Sequence, residues 1–306
     1  MSTTSAFETL VAQQRGPLLA YCYRMLGSWQ DAEDVLQDAL VGAWKGYDGF
    51  EGRSSARTWL YTIATNACLR QRRRRVTSPE VGPAYDQVDD LGEPTGLAYV
   101  EPAADPALLA ERRETVELAY VTALQHLPDT QRAVLILREV LQFSAAEVAE
   151  QLDTSVASVN SALQRARATI ARTQTGTIQQ QELARLGDDG VGRLVQEFMD
   201  AWESADVDRL CAMLTDDVQF TMPPLPAWFS GLAMVRRFLT DRMLQTPWRL
   251  TPQTINGQPG FRCEQLVQDG WRPGAVNVLS VRDGRVCAIS GYVDPALVER
   301  FFLADR

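Results

Sequence analysis

The spacing of apolar residues predicts helices in the first half of the chain. Between Ser28 and Trp44, apolar residues recur every three or four positions, and acidic residues occupy the remaining faces. A second helix is predicted from about Thr58 to Arg74, ending in a run of arginines. Its predicted inward-facing residues are Trp59, Leu60, Ile63 and Ala67. The front of the chain is therefore predicted to be all-α.

A helix-turn-helix pattern ends the next helical stretch, residues 108–172. Ser144 and Glu147 have the spacing of a capping box, which starts a short helix. Asp153-Thr154-Ser155 supplies the turn and the cap of the following helix. The predicted apolar stripe of that helix is Val156, Val159, Leu163, Ala166 and Ile170. Its outward-facing residues are Asn160, Ser161, Gln164, Arg165 and Arg167.

Two polar segments read as connectors. Residues 79–110 contain seven acidic residues and no basic residue, with several prolines, which is typical of a flexible linker. The Thr- and Gln-rich stretch 173–181 predicts a second connector. Beyond it, an amphipathic helix at 194–202 is followed by strands at 276–281 and 286–289 around an Asp283-Gly284 hairpin turn. The last third is therefore predicted to be a separate α+β domain.

Composition limits the chemistry that the chain can perform. The five cysteines are scattered without a C-x-x-C pair, and His126 is the only histidine, so we expect free thiols, no metal, no cofactor and no catalytic residue. No apolar run approaches the roughly 20 residues that span a bilayer, and residues 1–7 lack a signal-peptide pattern. These features predict a cytoplasmic protein with no membrane partner.

Local charge changes the interpretation of the net charge of -9. Residues 1–78 carry ten basic and seven acidic side chains, whereas the linker is wholly acidic. Because a surface meets phosphate through its local charge, the acidic total does not exclude nucleic acid.

Three motifs in order resemble the extracytoplasmic-function (ECF) RNA polymerase sigma factors, over about residues 7–172. The stretch 31–38 resembles the family's core-polymerase-binding helix, 59–66 its minus-ten-reading helix, and 163–167 the end of its minus-thirty-five recognition helix. The resemblance implies core RNA polymerase and promoter DNA as partners. It also likens the acidic linker to the segment that threads toward the polymerase active centre, where it either mimics nascent RNA or is merely solvated.

The resemblance and the residue chemistry together name candidate contacts. An acidic helix face suits docking on basic clamp helices of the polymerase. The predicted core-binding residues are Asp31, Glu33, Asp34, Gln37 and Asp38. Aromatic, amide and basic side chains suit contacts with a melted strand and with base edges. The predicted DNA-binding residues are Phe50, Arg53, Trp59, Tyr61, Asn66, Arg70, Arg73, Ser158, Asn160, Ser161, Gln164, Arg165 and Arg167. Taken alone, Trp59 fits a core position better than a DNA contact.

The C-terminal third resembles the SnoaL-like cone-shaped α+β domains. The resemblance is carried by the helix ending at 202–206, the segment 214–220 and the strand-rich end. Some SnoaL-like domains are cyclases and isomerases with an acid or histidine in a pocket. Asp216 and Asp217 are candidate bases, although turn and capping roles fit them better. A small-molecule or protein ligand of this domain is left open.

The predicted fold is therefore multidomain: two all-α sigma modules, the second with a helix-turn-helix, followed by an α+β SnoaL-like cone domain. The predicted boundaries are 1–77, an acidic linker at 78–107, 108–173 and 187–306. The function predicted is a non-enzymatic sigma factor modulated by its C-terminal domain. The alternatives are a SnoaL-like enzyme fused to a DNA-binding regulator, and a helix-turn-helix repressor that does not bind polymerase.

Overall fold

The computed structural model describes residues 3–52, 54–71, 84–94, 99–103, 118–173 and 179–303. The chain forms two compact units. A helical unit comprises residues 1–76 and 105–175, and an α+β unit comprises residues 77–104 and 176–306. The two predicted promoter-binding modules therefore belong to one helical unit, and the segment predicted as a linker belongs to the α+β unit.

The helical unit consists of two helical groups. Its helices are α1 Thr3–Leu26, α2 Trp29–Gly46, α3 Ala56–Arg70, α4 Leu118–Gln125, α5 Asp129–Leu135, α6 Ala145–Gln151 and α7 Val156–Thr173. Ser28 caps α2, accepting a hydrogen bond from the Asp31 N–H. A π-helical turn, Ile136–Val140, extends α5, and helices α1, α2 and α3 pack against one another.

The buried face of α3 differs from the predicted one. The structure buries Leu60, Tyr61, Ala64 and Cys68, whereas Trp59, Ile63 and Ala67 are only partly covered. The sequence offers apolar residues on two adjacent faces of this helix, so spacing alone could not choose between them. Packing against α1 and α6 selects the face that carries Tyr61.

One buried arginine joins the two helical groups. Arg132 is 3% exposed and donates to the backbone carbonyls of Leu124, Gln125 and Leu127, just after and within the last turn of α4. It also donates to the carbonyl of Met25, in the last turn of α1. This guanidinium therefore adds a charged donor to backbone carbonyls at the end of α4 and at the end of α1.

The α+β unit is a curved six-stranded sheet with helices against it. The strand order is β2-β1-β6-β5-β4-β3, antiparallel except for the parallel β1–β6 pair. Its elements are α8 Gln179–Glu203, α9 Val207–Ala212, β1 Leu214–Thr221, β2 Trp228–Ser230, α10 Leu232–Asp241, β3 Trp248–Ile255, β4 Gln258–Val267, β5 Gly270–Arg282, β6 Arg285–Tyr292 and α11 Pro295–Leu303. The predicted hairpin at Asp283-Gly284 is confirmed, with positive φ at both residues.

Aromatic rings fill the interior of this unit. Phe229 and Phe238 stack with centroids 4.4 Å apart, and Phe198 and Phe261 stack at 5.3 Å. Phe220 and Trp202 lie between these pairs, and all six rings are at most 2% exposed. Burial of rings of this size supplies much of the unit's stability.

Residues predicted as a solvated linker are instead packed on the α+β unit. Val88 is 1% exposed within the aromatic core, and Val100 is 6% exposed. Tyr85 and Leu91 pack against the same core. The acidic residues of this segment are interspersed with enough apolar ones to cover the unit, although its mean composition is that of a free linker.

The predicted connector at 173–181 ends earlier than expected, because Gln179 already begins α8. The Gln179 side chain accepts from the Val281 N–H at 2.8 Å, and Glu182 accepts from the Asp283 N–H at 3.0 Å. These bonds tie the start of α8 to the β5–β6 hairpin. The helix then kinks at Gly187, whose φ is 67°.

The cysteines are free thiols, as predicted, with four of them buried and Cys287 partly exposed. Within the described ranges, no helix is both long enough and apolar enough to cross a bilayer. The same residues contain no group of three side chains arranged to hold a metal ion.

Replacing Arg132 with Met should lower the free energy of unfolding of the protein by about 3 kcal/mol, because four backbone carbonyls lose a charged donor. Urea unfolding followed by circular dichroism measures the change. The matched control, Arg165→Met on the exposed face of α7, should change stability by less than about 0.5 kcal/mol. Equal stability of the two variants would contradict the bridging role.

Candidate polymerase and nucleic-acid interfaces

A groove runs along the outer face of α2 and combines acidic and apolar side chains. It encloses about 580 Å³. Its lining residues are Arg15, Gln30, Glu33, Asp34, Leu36, Gln37, Leu40, Val41 and Trp44. Three of the five predicted core-binding residues, Glu33, Asp34 and Gln37, line it, and Asp38 is exposed on the same helix.

The apolar part of this groove was missed in the sequence. Val41 is 47% exposed and Trp44 is 49% exposed. The Trp44 ring is held edge-on by Phe7 at 5.2 Å, so it is oriented before any partner arrives. Exposed aromatic side chains beside charges are typical of binding hot spots. The sequence feature that could have predicted it is the presence of two large apolar residues at polar positions of an amphipathic helix.

Three aromatic rings gather at the start of α3. Phe50 and Trp59, both predicted to contact DNA, have centroids 5.0 Å apart. Tyr47 stacks on Phe50 at 6.4 Å and lies 6.1 Å from Trp59. Phe50 and Trp59 are half-buried, so each keeps an exposed ring surface on which a base could stack. Tyr47 was not among the predicted residues.

The remaining candidates on α3 fall into two groups. Asn66 and Arg70 are exposed one turn apart and so share a face. Tyr61 is fully buried, between the rings of Tyr21 and Phe143, and cannot reach DNA in this arrangement. The prediction that Tyr61 contacts DNA is therefore not met in this arrangement. Arg53 and Arg73 lie outside the described residues.

The first helix of the helix-turn-helix begins with the predicted capping box. The Ser144 N–H donates to Glu147 at 2.8 Å, and the Glu147 N–H donates to the Ser144 hydroxyl at 3.2 Å. The hydrogen bond from the Ser144 backbone N–H is the largest cause that lowers the pKa of the Glu147 carboxyl, and the Ser144 side chain, the Thr58 hydroxyl and the Arg57 charge lower it further. The carboxylate is therefore held in its ionised form at the start of α6.

The second helix of the motif, α7, exposes every predicted contact. Val159, Ala162, Leu163 and Ala166 are buried, whereas Val156 is exposed, contrary to its predicted place in the apolar stripe. The exposed residues are Ser158, Asn160, Ser161, Gln164, Arg165 and Arg167. Two of these make local contacts: the Ser158 hydroxyl lies 2.9 Å from that of Ser155, and Arg167 pairs with Glu139. Asn160, Gln164 and Arg165 form the face on α7 best suited to reading base edges.

The candidate bases of the α+β unit lie outside its core. Asp216 and Asp217 are exposed on β1, and Asp217 pairs with Arg282. That hydrogen bond lowers the pKa of Asp217, which favours an ion-pairing role over a role as a base. The aromatic core contains the thiol of Cys263, whose pKa is raised by burial.

Three family models match consecutive parts of the chain. Sigma-70 region 2 matches residues 10–77, Sigma-70 region 4 matches 117–170, and the SnoaL-like domain matches 195–289. The α2 groove and α3 fall in the first match, and the helix-turn-helix falls in the second.

Relatives with the same order of parts occur in Mycobacterium tuberculosis. The chain is 39% identical to the ECF RNA polymerase sigma factor SigG over 95% of its own length and 82% of that protein's. It is 29% identical to the ECF sigma factor SigJ, covering 95% of this chain and 91% of SigJ. The crystal structure of SigJ superposes with a TM-score of 0.64 at 25% identity, covering 97% and 98% of the two chains.

Replacing Val41 and Trp44 together with serine should raise the Kd for core RNA polymerase about tenfold to a hundredfold, because the groove loses its apolar surface. Fluorescence anisotropy of labelled protein against purified core enzyme measures the affinity. The control is the pair Leu266→Ser and Val267→Ser, which removes comparably exposed apolar side chains from the β4 end. Similar losses in both pairs would reject a specific role for the groove.

Substituting Asn160 or Arg165 with alanine should weaken promoter binding by about 1–3 kcal/mol each if these residues contact base edges, with little loss of folding because both are exposed. Gel shifts with holoenzyme on matched and mutated upstream elements measure this. Arg172→Ala, exposed near the end of the same helix, is the control. A variant that still distinguishes the two elements as well as the parent does would remove the base-reading role.

Proposed function

The chain belongs to the extracytoplasmic-function sigma factors of RNA polymerase, and on that basis we propose a role for each of its parts. It is a promoter-recognition factor, since sigma-70 regions 2 and 4 lie in its helical unit and its relatives are ECF sigma factors. In this proposal the α2 groove binds core polymerase, α3 contacts the minus-ten element, and α7 contacts the minus-thirty-five element. The α+β unit modulates the factor by holding the linker between the two promoter-binding modules.

The observation that carries the modulation is the first anchor of the linker on the α+β unit. The Tyr85 N–H donates to the Trp228 carbonyl at 2.8 Å, so the linker contacts the outer strand of the sheet. Arg242 donates to the carbonyls of Val88 and Asp89, while the Val88 side chain enters the core. This anchor combines backbone hydrogen bonds with buried apolar area.

A second anchor follows at residues 99–103. Asn256 and Ala103 exchange two hydrogen bonds, the Asn256 N–H donating at 2.9 Å and its side-chain oxygen accepting at 2.7 Å. Glu101 pairs with Arg300 at 2.9 Å, and Tyr99 packs on Tyr292. The linker is therefore held at two places, 10 or more residues apart.

Anchoring shortens the chain that connects the two modules. Helix α3 ends at Arg70, and α4 is described from Leu118 onward. A chain extends by at most about 3.5 Å per residue, so fixing residues 85–89 and 99–103 on the α+β unit limits how far the modules can separate. Because the anchors are intramolecular, even weak contacts are well populated. Release of the linker is thus a means of controlling promoter engagement.

A catalytic role for the α+β unit has less support. Aromatic rings fill its interior, and the chain has no histidine after His126. We propose that this unit acts by contact with the chain rather than by chemistry.

Reconstituted transcription tests the central function. The full chain and purified core polymerase are combined on a randomised promoter library, and the transcribed templates are sequenced. Enrichment of a bipartite element above the level given by core alone is the expected result. Templates enriched no further than by core alone would contradict the role of a promoter-recognition factor.

Replacing both Arg237 and Arg242 with alanine should release the first anchor, because these side chains hold the carbonyls of Asp86, Val88 and Asp89. We expect chymotryptic cleavage after Tyr85 to accelerate, and promoter output at equal holoenzyme occupancy to rise at least threefold. Arg236→Ala is the matched control on the same helix, since Arg236 pairs with Asp208. Faster cleavage with unchanged output would mean that the anchor is structural and not regulatory.

A further inference from the structure

Helix α7 begins with an exposed apolar side chain that its packing does not explain. Val156 is 43% exposed, although the spacing of apolar residues predicted it in the buried stripe. Within the described part of the helix-turn-helix, it is the one large apolar side chain that is exposed. A β-branched residue also has a lower helix propensity than alanine. Neither burial nor helix propensity therefore accounts for a valine at this position.

The first turn of α7 fixes the position of Val156. The Ser155 hydroxyl accepts a hydrogen bond from the Ser158 N–H at 3.1 Å, and the Ser155 carbonyl accepts one from the Val159 N–H at 3.0 Å. Val159 and Leu163 are buried, so the helix is packed along a neighbouring face. Because a valine in a helix has one strongly preferred χ1 rotamer, its two methyl groups lose little conformational freedom when a partner covers them.

Val156 lies on the same face of α7 as two residues suited to reading bases. Asn160 and Gln164 follow it at intervals of four residues, and all three are exposed. Residues four apart are neighbours on a helix surface. In a helix-turn-helix, the N-terminal residues of the second helix contact base edges in the major groove. Val156 is therefore at the end of α7 that reaches the bases, one turn before Asn160.

An apolar side chain has one matching partner in the major groove. Guanine, cytosine and adenine present hydrogen-bond donors and acceptors there, and only thymine adds a methyl group, at C5. Phosphate and sugar oxygens are contacted through hydrogen bonds and ion pairs, neither of which a valine side chain can make. A valine in this groove is therefore matched to thymine.

We propose that Val156 is a specificity-determining residue, which contacts the C5 methyl group of one thymine in the upstream promoter element. This role rests on the proposed function of α7 and adds the identity of one base. Four residues of an α-helix rise about 6 Å, which is less than two base-pair steps of about 3.4 Å. The thymine therefore lies within two base pairs of the base that Asn160 contacts.

Deoxyuridine tests this contact, because it pairs with adenine as thymidine does and lacks only the C5 methyl group. Each thymidine of the upstream element is replaced in turn, on either strand, and the Kd of the reconstituted holoenzyme is measured by competition gel shift. We expect one position at which deoxyuridine raises the Kd about threefold to tenfold, the effect of losing about one methyl contact. In Val156→Ala, the same replacement should change the Kd by less than about twofold.

Two further variants separate this contact from a general effect of substitution. Val156→Thr retains one of the two methyl groups, so it should keep part of the sensitivity to deoxyuridine. Val267→Ala shortens a comparably exposed valine in β4 of the α+β unit and should keep all of that sensitivity. The fold should tolerate Val156→Ala, since the side chain is exposed and alanine is the stronger helix former.

Two results would overturn the role of Val156. One is that deoxyuridine has no effect at any thymidine position in the parent protein. The other is that Val156→Ala weakens binding equally on thymidine and deoxyuridine templates, which would mean that the side chain contacts a protein and not the methyl group. A holoenzyme that does not distinguish the element from unrelated DNA contradicts the proposed function of α7 itself, whereas specific binding without a methyl effect rejects only the role of Val156.

Discussion

The packing of the helical unit requires hydrogen-bond donors for the backbone carbonyls where helix ends meet in its interior. Arg132 meets this need by collecting four of them, three from its own module and one from α1. A buried charge is stable only when it is fully hydrogen-bonded, so the arginine and the helix ends fix one another. Helix α3 packs against α1, α5 and α6 within the same unit.

The α+β unit applies a different constraint to the chain that crosses it. Strand β2 is the edge of its sheet, and Val88 and Leu91 of the linker pack on its core. A sheet edge left open is a site for unwanted pairing, and covering it with the chain's own linker removes that hazard. Because the linker packs on the α+β unit in this way, the proposed role of the unit is to limit the distance between the two promoter-binding modules.

The sequence by itself determined the features that are written locally. Helical spacing gave α2 and α7, Ser144 and Glu147 gave the capping box, and Asp283-Gly284 gave a hairpin turn, because each depends on neighbours within a few residues. The family motifs identified a sigma factor for the same reason. Only the tertiary structure decided that Tyr61 is buried and that Trp44 is exposed beside an acidic groove. It also decided that the side chain of Val88, in the acidic linker, packs in the core of the α+β unit. Whether a side chain is buried depends on residues far away in the sequence. The average composition of a segment therefore does not reveal a single apolar side chain that packs against such residues.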